Sequence, residues 1–155
     1  MDTPSPKSAL AITVLAAGGL GLYWAWDKFI RDENKEENQA SAQDRYKDLQ
    51  DAMKEERPTK PESAWSGFAD QIYALLNGWA GENETEVERI LKEPANLTDI
   101  RLLEYKFGAR QFQNAFGFPD GEPKTLRVAV STELWPSRVQ RINEVYMKRG
   151  INYRF

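Results

Sequence analysis

Charged and apolar positions separate along this chain into three regimes. Residues 8–26 hold no charged side chain, a run of 19 positions. At about 1.5 Å per helical residue the run spans roughly 28 Å, close to the hydrocarbon core of a bilayer. Lys7 bounds one end, and Asp27 with Lys28 bounds the other. Tyr23, Trp24 and Trp26 cluster at the second boundary, where amphipathic rings favour the headgroup level. The pattern predicts a single-pass transmembrane helix within residues 1–30. A cleavable signal peptide and a buried core helix are the competing readings. Residues 1–7 carry one Lys against one Asp, poor for a signal peptide, and the run has no polar face, poor for a core helix.

Ala9, Thr13, Ala17, Gly21 and Ala25 recur every four residues inside the run. On a helix they form one stripe of small side chains, which permits close approach of a second helix. A homo-oligomer through this span is therefore one expected partner, beside the lipid bilayer itself. Lys28, Arg31 and Lys35 follow the span while Lys7 alone precedes it, so the positive-inside rule leans toward a cytoplasmic C-terminal side.

Residues 31–63 carry 7 basic and 10 acidic side chains. Tyr46, Leu49 and Met53 make a single narrow stripe, too little apolar surface for a core of its own. Good helix formers dominate, so the region reads as a charged, solvated helical stalk. Arg57-Pro58-Thr59-Lys60-Pro61 ends it, because proline and the residue before it both resist helix.

Residues 64–155 read as a small soluble helical bundle. Trp65, Phe68, Ile72, Leu75, Leu76 and Trp79 share one face of a helix that Ser63 can cap and Asn77-Gly78 can end. Asn83-x-x-Glu86 reads as a capping box ahead of Val87, Ile90 and Leu91, with Pro94 as the stop. Asn96 or Thr98 can cap a third helix bearing Ile100, Leu103 and Phe107, with Gly108 past its end. A short turn is expected over residues 109–116 and a loop over 118–123. Residues 126–130 are ambiguous between strand and helix, with helix slightly favoured. Residues 137–149 form the last helix, with Val139, Ile142, Val145 and Tyr146 inward, and the apolar tail 151–155 folds back. The expected class is thus mainly α: a transmembrane helix (1–30), a charged stalk (31–63) and a helical domain (64–155).

Composition narrows the chemistry. The 155 residues include no Cys and no His, and the formal charge is −3. Disulfides, thiolate nucleophiles, Cys/His zinc sites and imidazole acid–base chemistry are excluded together. Residues 64–95 carry 2 basic and 6 acidic side chains, and residues 96–155 carry 10 basic and 6 acidic. Two readings stand: complementary faces within one domain, or a basic surface for an anionic partner. Arg138, Arg141, Lys148 and Arg149 mark the basic flank of the last helix. No nucleic-acid motif accompanies it, so no nucleic-acid partner is expected. No phosphate-loop or dinucleotide motif is present, and no cofactor is expected.

Residues 72–84, Ile72-Tyr73-Ala74-Leu75-Leu76-Asn77-Gly78-Trp79-Ala80-Gly81-Glu82-Asn83-Glu84, lead into an apolar helix and then residues 96–107. Together residues 64–108 resemble a single annexin-type helical repeat, in which a helix ends in a Gly-x-Gly-Thr-Asp-Glu loop. The resemblance implies calcium held by loop carbonyls at Gly78 and Gly81 with a later acid, here Asp120, and docking on anionic membrane. The loop departs from that pattern by one extra residue and by Glu82-Asn83 in place of Thr-Asp, and only one repeat is present.

An uncharged N-terminal span before a small head also resembles membrane-tethered phage lysins, which hydrolyse peptidoglycan. That alternative needs catalytic carboxylates, for which Glu84 and Glu104 are the candidates. No Glu has an Asp nine residues on with a Thr after it, the spacing of the best-known lysin triad. Glu84, Glu86 and Glu88 fit better as helix-start charges. The leading expectation is a non-enzymatic bitopic membrane protein whose head docks on a protein assembly or membrane surface. Its setting is a cellular inner membrane or the internal membrane of a lipid-containing virion.

Overall fold

In a computed structural model, residues 42–77 and 83–155 are described, and they belong to one unit, Glu37–Phe155. The transmembrane expectation, including Ala9, Thr13, Ala17, Gly21, Ala25, Tyr23, Trp24 and Trp26, lies outside the described residues. Among the described residues no helix is long and apolar enough to cross a membrane.

Among the described residues six helices and one two-residue strand pair follow in order: α1 (Ala42–Glu55), α2 (Glu62–Leu76), α3 (Glu84–Leu91), α4 (Leu97–Phe107), β1 (Ala109–Arg110), β2 (Lys124–Thr125), α5 (Leu126–Glu133) and α6 (Pro136–Lys148). The mainly helical expectation holds for this part of the chain. Helix α4 is central. Helices α1 and α2 pack along it, α3 lies on α2 and receives α6, and α5 rests on α4 and α6. The burial of Ile100, Leu102, Leu103 and Phe107 reflects this double cover. Trp65, Ile72, Val87, Ile90, Leu91, Val130, Ile142 and Tyr146 complete the core. Each such apolar side chain contributes about 1.5–3 kcal/mol on burial.

The expected solvated stalk is corrected in its second half. Helix α1 is helical as predicted, but Leu49 and Ala52 are buried against α4. A narrow stripe suffices because polar ties complete the contact. The Thr98 hydroxyl, fully buried, reaches the carbonyls of Ala52 and Glu56, both at 3.0 Å. The Ala52 carbonyl also accepts the Glu56 amide at 3.1 Å, and Glu56 itself lies just past the end of α1, where a carbonyl has no intrahelical partner. The Asp99 carboxylate accepts from the Thr59 amide and hydroxyl, each at 2.7 Å, and from the Ala95 amide at 2.9 Å. Asn96 donates to the Arg57 carbonyl. The Pro58–Pro61 segment is therefore fastened to α4 and is no free boundary.

Helix punctuation follows the sequence with two changes and one choice between alternatives settled. Pro61, not Ser63, stands at the N-cap of α2. Asn83 makes no side-chain cap, and Glu86 turns outward to pair with Arg89 at 2.7 Å. Asn96 is the cap of α4, accepting from the Asp99 amide, which frees Thr98 to point at α1. The ambiguous 126–130 segment is helix, and the tail folds back as expected, with Ile151 and Tyr153 buried. Gly150 leaves α6 at φ 73°, a left-handed turn that suits glycine.

The predicted turn over 109–116 is instead an antiparallel stem. Ala109 pairs with Thr125 and Arg110 with Lys124. Further out, Gln113 bridges Pro119, and the Asp120 amide donates to the Phe112 carbonyl at 2.8 Å.

Candidate functional site

Three places gather polar or exposed side chains. The first lies between α3 and α6. Glu88 is buried on α3 and accepts from Arg141 Nε and Nη2, both at 2.8 Å, from Arg138 Nη1 at 2.8 Å and from Lys92 Nζ at 2.6 Å. The Arg141 hydrogen bonds, aided by Lys92 and Arg138 against the cost of burial, hold its carboxyl well below the usual carboxylate range. Glu84 pairs with Arg138 Nε at 3.0 Å, and the Trp135 amide points to it at 3.4 Å. Arg149 donates to the carbonyls of Lys92 and Pro94, at 2.6 and 2.5 Å, past the end of α3. Three of the four basic-flank residues, Arg138, Arg141 and Arg149, are thus engaged within the domain. Lys148 alone of that set has neither a hydrogen bond nor an ion pair from its side chain among the described residues. Of the two readings of the charge asymmetry, complementary internal faces describes these arginines.

The second place is a cleft of about 140 Å³ lined by Arg45, Asp48, Arg101, Glu104, Thr125, Leu126 and Arg127. It forms where α1, α4 and the start of α5 meet. Glu104 accepts from Arg101 Nη1 at 2.8 Å and from the Tyr153 hydroxyl at 2.6 Å. Arg101 Nη1 also lies 3.6 Å from Asp48. The guanidinium groups of Arg127 and Arg101 stand 4.7 and 5.5 Å from the Tyr153 ring centroid. Burial, and next the charge of Glu104, push the Tyr153 hydroxyl well above its ordinary value, so it stays a proton donor in that bond.

The cleft and the ion cluster hold the two candidate catalytic acids, and they do not bring them together. Glu84 answers to Arg138 and the Trp135 amide, Glu104 to Arg101 and Tyr153. Asp48 lines the same cleft as Glu104, and Arg101 Nη1 contacts both carboxylates. Glycoside hydrolysis requires two carboxylates facing each other across a sugar or a water. Asp48 and Arg101 were not singled out from sequence. Their signal is the i, i+3 pairing of Arg101 with Glu104 on one helix face.

The third place is the tip of the β1–β2 stem. Asn114 Oδ1 accepts from the amides of Phe116 and Phe118 at 2.9 and 3.1 Å. The Asn114 amide donates to the Phe118 carbonyl at 2.8 Å, and Gly117, at φ 79°, donates to the Asn114 carbonyl at 2.9 Å. An asparagine side chain closing its own turn in this way fixes the backbone locally. Below the tip, Phe112 is buried edge-on against Tyr73, with centroids 5.4 Å apart. Tyr73 donates to the Gln111 carbonyl at 2.7 Å, and Asn77 accepts from the Gln113 amide at 2.8 Å. The turn then presents Phe116, 84% exposed, and Phe118, 67% exposed. Neither was read as a surface feature from sequence. The Asn-Ala-Phe-Gly-Phe-Pro order, a turn with two aromatics outside any helical or strand period, was the available signal.

Asp120 lies exposed in the same loop. Gly78 and Gly81, the carbonyl donors implied by the annexin resemblance, lie outside the described residues. Among the described residues no group of three or more Asp or Glu gathers where a metal ion could sit. Comparison with protein-family models finds no match, and neither do comparisons with curated proteins and with solved structures.

Proposed function

We propose that the chain is a non-enzymatic, membrane-tethered docking protein. Residues 8–26 hold it in a bilayer, the charged residues before α1 space it, and the helical head engages a protein assembly. The observation that carries this reading is the commitment of its candidate acids to helix-to-helix ties. Glu84 and Glu88 join α3 to α6, and Glu104 joins α4 to the C-terminal tail. Acids used this way are structural, and the exposed groups left over include large apolar side chains, Phe116 and Phe118 foremost. An inner membrane and the internal membrane of a virion both suit such a tether, and fractionation of the native source separates them.

Two assays on the full chain test the proposal together. Carbonate washing of native membranes is expected to leave it in the pellet. A peptidoglycan overlay is expected to show no clearing. Release by carbonate removes the tether. Clearing that disappears in Glu104→Gln or Glu84→Gln replaces docking with hydrolysis.

A further inference from the structure

We infer that the Phe116–Phe118 turn is the docking element of the head, and that its partner is a protein surface with an apolar pocket rimmed by Lys or Arg. The inference deepens the docking reading above and rests on it. Exposed phenylalanines on a mobile loop would mean little. Here the turn is closed by four hydrogen bonds, and Phe112 anchors its stem in the core. A pre-ordered aromatic pair sacrifices little conformational freedom on binding, the property of an interface anchor.

The neighbouring charge decides the class of partner. Asp120 and Glu122 follow the turn directly, both are exposed, and neither pairs with a cation among the described residues. Nearby cations are already committed: Arg110 to Asp70 at 2.7 Å, and Lys124 to Glu133 at 2.5 Å. Two free carboxylates beside the aromatic tip oppose insertion among anionic headgroups and match a basic rim. The partner pocket therefore takes two phenyl rings and offers cations to the carboxylates two and four positions beyond Phe118.

The test uses the full chain in its native membrane, with a benzophenone amino acid placed at position 116 and, as a control, at exposed position 140 on α6. Position 116 is expected to yield one discrete protein adduct that position 140 does not. Its cross-linked peptide should combine apolar residues with Lys or Arg. Adduct yield should fall at least about tenfold in Phe118→Ala, and as far when Asp120 and Glu122 are both changed to Lys. Circular dichroism should be unchanged, because all three side chains are exposed. Lipid adducts, adducts with a second copy of this chain, no adduct at all, or a yield indifferent to the charge reversal would each overturn the inference. Carbonate extraction of the same sample separates this outcome from loss of the tether. A released chain that still forms the adduct keeps the docking turn and loses only the membrane.

Discussion

Glu88→Gln should be the most damaging conservative change among the ion-paired acids of the head. The wild-type carboxylate gathers three cations, Arg138, Arg141 and Lys92, with contacts of 2.6–2.8 Å, and it is 7% exposed. Glutamine keeps the shape but removes the charge and aims an amide N–H group toward a cation. Removing one partner of a buried ion pair costs about 3–5 kcal/mol. The Arg141 side chain is 48% exposed, so water recovers part of that cost. The expected loss is about 2–3 kcal/mol, or roughly 8–12 °C in Tm for a domain of this size. Thermal melts of the purified chain at a series of pH values measure it. The Glu88 carboxyl titrates in the folded state below its ordinary value of 4.5, so its stabilisation is fully present above that pH. It declines as pH falls from about 4.5 toward the folded-state value. The gap between wild type and Glu88→Gln should therefore be widest above about pH 5 and close in acid. Glu86→Gln on the same helix, which removes only a solvent-screened pair with Arg89, should melt close to wild type across the same pH series. A Glu88→Gln protein within about 0.5 kcal/mol of wild type at pH 7 would refute the idea that this cluster clamps α3 to α6.

Three further changes probe other joints. Thr98→Val removes the hydroxyl tie to α1 and should cost about 1–2 kcal/mol, with faster limited proteolysis between residues 55 and 62 than in wild type. Tyr146→Phe deletes the 2.5 Å bond from the buried hydroxyl to the Leu91 carbonyl, leaving that carbonyl without its tie, and urea denaturation should report a loss of about 1–2 kcal/mol. Asn114→Ala should leave Tm within about 0.5 kcal/mol of wild type in stability terms while the amides of Phe116 and Phe118 lose protection in hydrogen exchange. Unchanged protection there would mean the turn is held by its stem alone.

Periodicity carried the helices well where one broad apolar face meets one neighbour. The Trp65, Phe68, Ile72, Leu75 and Leu76 stripe marks α2. Pro136 and Gly150 bracket α6. Periodicity failed for α1, whose charge density reads as a solvated stalk. Its docking depends on Thr98 and Asp99, residues far along the chain that look like ordinary capping candidates in the sequence. It also failed for the β1–β2 stem, because two-residue strands carry no alternation to detect. The basic flank of α6 was legible as a flank, but not its destination. A list of arginines does not reveal that Glu84 and Glu88 face them across a helix interface. The exposed phenylalanines escaped notice for the opposite reason: exposure is a property of the folded turn, and aromatic residues in sequence read first as core.

The way α1 is attached has a mechanical consequence. If the N-terminal side of the chain is held, a pull on the head is transmitted through α1 before any other described element. Its apolar seam is narrow, and short bonds tie its far end, from Thr98 to the carbonyls of Ala52 and Glu56 and from Thr59 to Asp99. Bonds at that end break last if α1 peels from its beginning. The helix would act as a fuse, yielding 14 residues of slack while the bundle built on α2, α4 and α6 stays intact. A head joined in this manner can tolerate movement between its anchorage and whatever it holds without unfolding the part that does the holding.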